Sequence, residues 1–234
     1  REPRQMSQDP SFELVNADFS SRVVIATGEM PWIPSPQAGV ERRLLDRIGG
    51  EVARATSLVR YAPASVFPAH EHALGEEFLV LDGVFSDEHG DYPAGTYVRN
   101  PPQSRHAPRT ALGCTIFVKL RQMAPSERHR LVIDTNIVKW KAAGQPGVMR
   151  LALFSAPDAR EQVSLERVDA GAGPCDADCS GGEEIFILSG DLRDEYGVYR
   201  AGTWMRNPAG FQRRLGSNGG ATYWVKRGHL RPMS

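Results

Sequence analysis

Residues 76–101 read EEFLVLDGVFSDEHGDYPAGTYVRNP, and residues 183–208 read EEIFILSGDLRDEYGVYRAGTWMRNP. The two stretches align without a gap at an offset of 107 residues, with 14 of 26 positions identical. That is far above chance, so the chain carries an internal repeat. The register extends to Gly113/Gly220, Thr115/Thr222, Lys119/Lys226 and, upstream, Arg60/Arg167. In a chain of 234 residues each copy is then about the size of a small domain. The first copy is expected over 11–125, a linker over 126–131 and the second copy over 132–234. Residues 1–10 are expected to form a polar, disordered tail or one added in cloning, with Met6 a candidate natural start. Whether the copies keep or exchange their N-terminal strands stays open at this level.

The repeated unit is all-β. Gly (23) and Pro (17) are spread along the whole chain and punctuate short apolar runs. Those runs include Val23–Ala26, Ala53–Tyr61, Glu77–Phe85, Thr96–Arg99 and Cys114–Leu120. In Thr56-Ser57-Leu58-Val59-Arg60-Tyr61 the period is near two, and no long helical stripe occurs. Glu127–Ile137 reads as a short helix or a linker strand. The expectation is a tandem of two β-barrel units.

Lys+Arg and Asp+Glu both total 28, so the formal net charge is zero. Such a chain has no global pull on nucleic acid or an anionic membrane surface, and neither is expected as a partner. No apolar run is long enough to span a bilayer, and the N-terminus lacks a secretory pattern. A cytoplasmic protein is expected, forming a homo-oligomer. Three cysteines, Cys114, Cys175 and Cys179, are too few for a disulfide framework. Cys114 is expected as a buried small hydrophobe. Cys175 and Cys179 form a lone C-x3-C, which lacks two further ligands at zinc spacing and reads as loop.

The residues that carry chemistry lie in the first copy. Pro68-Ala69-His70-Glu71-His72 places two imidazoles two residues apart, hence on one face of a strand. Glu76 follows across a small Gly-containing turn, and His106 follows a further strand and a Pro-rich turn. Three imidazoles and a carboxylate suit one divalent ion of Fe, Mn, Ni, Co or Zn. On a six-coordinate ion they leave two adjacent positions, whereas on tetrahedral zinc they close the site. A lone His-x-His on a strand is more often ordinary surface or core histidine, so the fold must bring all four together. Glu77 is the alternative carboxylate; alternation turns it away from Glu76, and it is expected as a surface charge at the rim. Phe78, Tyr97 and Arg99, with Tyr61, are candidates to line a pocket. His89, His129 and His229 are expected to be solvated.

These residues resemble the two motifs of the cupin superfamily. The first motif is G-x5-H-x-H-x3/4-E-x6-G, and the chain has Ala64, His70, His72, Glu76 and Gly83. The second is G-x5-P-x-G-x2-H-x3-N, and the chain has Gly95, Pro101, Gln103 for Gly, His106, and Thr110 for Asn. The texture of the first copy further resembles the cupin domain of ChrR-type anti-sigma factors. The resemblance implies a bicupin, two jelly-roll barrels in tandem, with His70, His72, Glu76 and His106 as metal ligands.

The second copy breaks the pattern. Ala177 stands at the His70 position, Cys179 at His72 and Arg213 at His106, and only Glu183 survives. Alanine cannot ligate, and guanidinium does not shed its proton for a cation. Arg213 is expected to pair with Glu183 where a metal would otherwise sit.

Three functions follow as expectations. The first is an enzyme of mononuclear metal dioxygenase type acting on a small molecule, with its catalytic residues unassigned. The second is a regulatory, anti-sigma-related cupin that senses a small molecule. ChrR-type proteins grip their sigma factor through a zinc module with the pattern H-x3-C-x2-C, which does not occur in this sequence, so sigma binding by that route is not expected. The third is a binding or structural bicupin whose metal only stabilises the barrel.

Overall fold

The computed structural model describes residues 14–50, 52–173, 175–176 and 179–230. The tail expected over residues 1–10 lies outside the described residues. Among those described the chain is built of β-strands, with one 3-10 turn at Thr27–Glu29 and no α-helix. Among the described residues no helix is long and apolar enough to cross a membrane.

Two compact units form, one from residues 14–17 and Trp32–Val132, the other from Asp18–Pro31 and residues 133–230. In the first, the sheet runs Leu14–Val15, Val40–Ile48, Arg54–Tyr61, Cys114–Leu120, Glu76–Asp87, Thr96–Asn100, Leu131–Asp134. In the second it runs Lys141–Ala142, Val148–Ser155, Gln162–Val168, Ala221–Arg227, Glu183–Asp194, Thr203–Asn207, Val23–Ala26. From Val40–Ile48 and Val148–Ser155 onward the order is the same in both, and so is the origin of the last strand. Val23–Ala26 from the first copy closes the second sheet, and Leu131–Asp134, which leads the second copy, closes the first. The opposite edges differ, with Leu14–Val15 in the first sheet and Lys141–Ala142 in the second. Val23–Ala26 pairs antiparallel with Thr203–Asn207, in the register Val23↔Arg206 to Ala26↔Thr203. Leu131–Asp134 is the neighbour of Thr96–Asn100. The compact units therefore differ from contiguous blocks 11–125 and 132–234, because residues 18–31 belong with the second. Residues 127–137 hold the short strand Leu131–Asp134 and no helix, and Glu127 and Arg130 are engaged with the first unit.

Alternation builds each core. In the first unit Phe78, Val80, Val98, Ile116 and Val118 point inward with Phe85, Tyr92 and Cys114. Cys114 is buried as expected, and burial pushes its thiol up to about 11. The second unit repeats this with Ile185, Ile187, Met205, Tyr223 and Val225. Two turn positions where the cupin motif carries glycine hold other residues here. Ala64 and Gln103 nevertheless take left-handed backbone, at φ 58° and 69°. The turns keep their shape at a backbone cost of order 1 kcal/mol each.

The second core also buries an ion cluster. Glu166 accepts from Arg150 at 2.8 Å, from Arg227 at 2.7 and 3.0 Å, and from the Tyr223 hydroxyl at 2.7 Å. Burial alone would raise the Glu166 carboxyl; the Arg227 guanidinium, with Tyr223 and Arg150, outweighs it and holds the group at about 2 against an ordinary 4.5. A depressed carboxyl stabilises the fold above its unfolded value and loses that contribution as pH falls through its folded value. The contribution is on the order of 3 kcal/mol. The stability gap between the native chain and Glu166→Gln should narrow by that amount between pH 5 and 2, read by urea unfolding. A gap independent of pH would refute the assignment.

Candidate metal centre

His70–His72 and Ser104–His106 form a small two-stranded sheet in which His106 lies opposite His70 and Ser104 opposite His72. The period of two turns His70 and His72 to one face, and the register adds His106 to it. The ring centroids form a near-equilateral triangle, with sides of 4.8, 4.9 and 5.1 Å. One nitrogen from each ring lies within 4.8 Å of the others. Glu76 opens the Glu76–Asp87 strand, and its Oε2 lies 3.5 Å from Nε2 of both His72 and His106. His70 is exposed, His72 half-buried, and His106 and Glu76 buried. Solvent therefore reaches the group from the His70 side.

The outer faces of two rings are fixed. His70 Nδ1 lies 3.1 Å from the Pro68 carbonyl, and His106 Nδ1 lies 3.2 Å from Asp87 Oδ2. Both partners only accept, so each Nδ1 carries the proton and each Nε2 turns a lone pair inward. His72 Nε2 lies 2.9 Å from His106 Nε2. Lone pairs that close repel unless a proton or a cation lies between them. Burial holds the His72 imidazole below its ordinary value, with His106 and His70 acting in the same sense against Glu76. Burial would also lower His106, but the Asp87 carboxylate, together with Glu76 and Glu88, outweighs it and raises the group. The donor set fits a divalent ion. Metal–nitrogen bonds of about 2.0–2.1 Å put neighbouring ligand atoms roughly 3.0–3.4 Å apart, close to the separations among His72, His106 and Glu76.

The structure moves other candidates away. Tyr97 and Arg99 lie opposite Leu79 and Glu77, on the face of the sheet turned from Glu76. Glu77, expected as a rim charge, is buried. It accepts from the Tyr97 hydroxyl at 2.8 Å and from Arg99 Nη1 at 3.0 Å. Arg99 also bonds Glu127 at 2.5 and 2.8 Å. Both faces of this strand pair are buried, so an inward phase could not be inferred from apolar character. Phe78 does share the Glu76 face, packed on Phe85, whose ring lies 5.9 Å from His106. It is core beneath the histidines rather than an open pocket wall. His129 is exposed, whereas His229 is drawn in by Glu184 at 3.1 Å.

Sequence reasoning missed the groups behind the histidines. Asn100 Nδ2 donates to Glu76 Oε2 at 3.0 Å, and the Tyr92 hydroxyl donates to Asp87 Oδ1 at 2.8 Å. A signal was available: Asp87, Tyr92 and Asn100 recur as Asp194, Tyr199 and Asn207.

The ChrR cupin-like domain model matches the chain twice, over residues 20–124 and 128–231. The chain belongs to the ChrR cupin-like family. No curated protein matches it. Solved structures share the fold. A candidate dioxygenase from Nostoc punctiforme matches with a TM-score of 0.74 at 15% identity, covering 91% of this chain and 85% of that one. Bacterial pirin YhhW from Escherichia coli, in complex with nickel(II), matches with 0.66 at 10% identity, covering 91% and 100%. An oxalate decarboxylase OxdC mutant from Bacillus subtilis matches with 0.60 at 11% identity, covering 100% and 85%.

The second cupin carries the expected replacement. Arg213 Nε donates to Glu183 Oε1 at 2.5 Å, Arg213 Nη2 meets the same oxygen, and Asn207 Nδ2 reaches it at 2.8 Å. Arg227 Nε lies 3.4 Å from Glu183 Oε2. Burial would raise Glu183, but Arg213 and Arg227 hold it below the ordinary carboxylate value. Burial and Glu183 push the Cys179 thiol up to about 12, which leaves it protonated and unreactive. Ala177 lies outside the described residues, as does the side chain of Cys175.

Proposed function

We propose that the first cupin holds one divalent metal on His70, His72, Glu76 and His106, and that this centre acts on a small molecule in the manner of a mononuclear metal dioxygenase. The observation that carries this reading is the convergence of His72 Nε2, His106 Nε2 and Glu76 Oε2 within 2.9–3.5 Å, with His70 completing the triangle. Iron, manganese, nickel, cobalt or zinc all suit the donor set. Bound there, such an ion would polarise an oxygen-bearing ligand or, if redox-active, engage dioxygen. The chain's own part is to present oriented Nε2 donors, to supply one negative charge from Glu76, and to leave access beside His70. The dioxygenase-like reading is also suggested by the candidate Nostoc dioxygenase, and the metal by the nickel(II) complex of a pirin of the same fold.

Metal analysis of the purified chain should return about one equivalent, since the second cupin has lost its ligand set. The metal-replete protein should then consume dioxygen with some member of a panel of β-diketones, thiols and phenolic ketones. Uniform inactivity with the correct metal would remove the enzyme and leave a binding site. One observation favours a second reading, that of a small-molecule sensor: the family takes its name from ChrR. Ligand-dependent capture of a sigma factor by the full chain would support it.

A further inference from the structure

The groups behind the candidate ligands converge on one side chain. Arg130 Nε donates to Asn100 Oδ1 at 3.0 Å, and Asn100 in turn donates to Glu76. Arg130 Nη2 donates to the Tyr92 hydroxyl at 2.6 Å and lies 3.5 Å from Asp87 Oδ2, the oxygen that faces His106 Nδ1. One guanidinium thus ties the back of the Glu76 arm to the back of the His106 arm. By sequence Arg130 belongs to the second repeat, immediately before the strand Leu131–Asp134 that closes the first sheet.

We propose that Arg130 is a positioning residue for the metal centre, so that the first cupin reaches full metal affinity only with the leading segment of the second repeat docked on it. The inference rests on the metal-centre reading above. Its physical basis is the orientation of an amide. With Arg130 donating to Oδ1, Asn100 must turn its NH2 toward Glu76. Without Arg130 the amide is free to flip, and its oxygen would then face the carboxylate and repel it. The same guanidinium balances the buried charge of Asp87, which orients His106. A planar fork can serve both arms at once, whereas the single ammonium of lysine cannot.

The second cupin supplies an internal control. Arg22 makes the same bonds there, from Nε to Asn207 Oδ1 at 2.9 Å and from Nη2 to the Tyr199 hydroxyl at 3.0 Å and Asp194 Oδ2 at 2.6 Å. Arg213 stands in that cup where His106 would be, so the clasp anchors an exchanged strand and has no metal to position. Strand anchoring and ligand positioning are therefore separable in one chain.

The experiment uses full-length protein with Arg130→Met, Arg130→Lys and Arg22→Met. Zinc(II) affinity is read by competition with a chelator, and thermal unfolding is measured on the metal-free forms. Arg130→Met should weaken zinc binding about tenfold, the lower end of the range for groups behind metal ligands, because it acts through Asn100 and Asp87. Arg130→Lys should fall between Arg130→Met and the native chain. Arg22→Met should lower the unfolding temperature of the metal-free chain and leave zinc affinity unchanged. Native affinity in Arg130→Met, or an equal loss in Arg22→Met, overturns the inference while the metal centre stands. No zinc binding by the unsubstituted chain overturns the metal centre itself.

Discussion

His106→Ala is expected to strip the chain of its metal. In the proposed centre the residue would supply one of four donors, and its Nδ1 contact to Asp87 aims the remaining lone pair inward. Losing a ligand should cost more than the roughly 100-fold that loss of a group behind a ligand can cost. Metal content after dialysis should fall from about one equivalent toward zero. His106 is buried against Phe85, so the metal-free variant should also lose about 2–3 kcal/mol through the cavity left behind. His70→Ala keeps a destabilised fold from being mistaken for a lost site. His70 is exposed, and its substitution should remove metal while changing metal-free stability by less than about 0.5 kcal/mol. Native metal content in both variants would refute the ligand set.

Glu183→Leu is expected to give the largest loss of stability in the second cupin. It leaves Arg213 buried without its counter-charge, and breaking a buried pair from one side costs about 3–5 kcal/mol. For a chain of this size that corresponds to a fall in unfolding temperature of about 6–20 °C. Glu183→Leu with Arg213→Met should recover most of the loss, because the pair pays a desolvation cost that apolar side chains avoid. Metal content should stay at the native level in both. A stable Glu183→Leu variant, or a double variant as unstable as the single, would mean that the guanidinium does not stand in for the missing ion as a charge partner.

The clustering of the proposed ligands was legible because they are spaced by local rules. A period of two along a strand puts His70 and His72 on one face, and two cupin motifs in register bring Glu76 and His106 to them. The Arg213–Glu183 pair was legible for the same reason, since the repeat maps each position of one cup onto the other. The environment of Glu77, Tyr97 and Arg99 was not. Alternation says that Glu77 opposes Glu76, but it does not say what covers the opposite face. Here that face is buried as well, and the polar groups satisfy one another within it. Asp87, Asn100 and Arg130 escaped because they touch no ligand position in sequence and become neighbours only through strand register.

By itself, the sequence determined that this protein is all-β, that it repeats one cupin-like unit, and that only the first copy keeps His70, His72, Glu76 and His106 together. Those properties follow from periodicity and from residue identity at fixed spacing. The tertiary structure alone decided which strand closes which sheet. Arg22-Val23-Val24-Ile25-Ala26-Thr27 and Arg130-Leu131-Val132-Ile133-Asp134-Thr135 are nearly the same strand, and either could satisfy either edge through the same backbone hydrogen bonds. Local chemistry cannot choose between such equivalents; the choice is visible only in the assembled sheets. That choice places Arg130 rather than Arg22 behind His106 and Glu76.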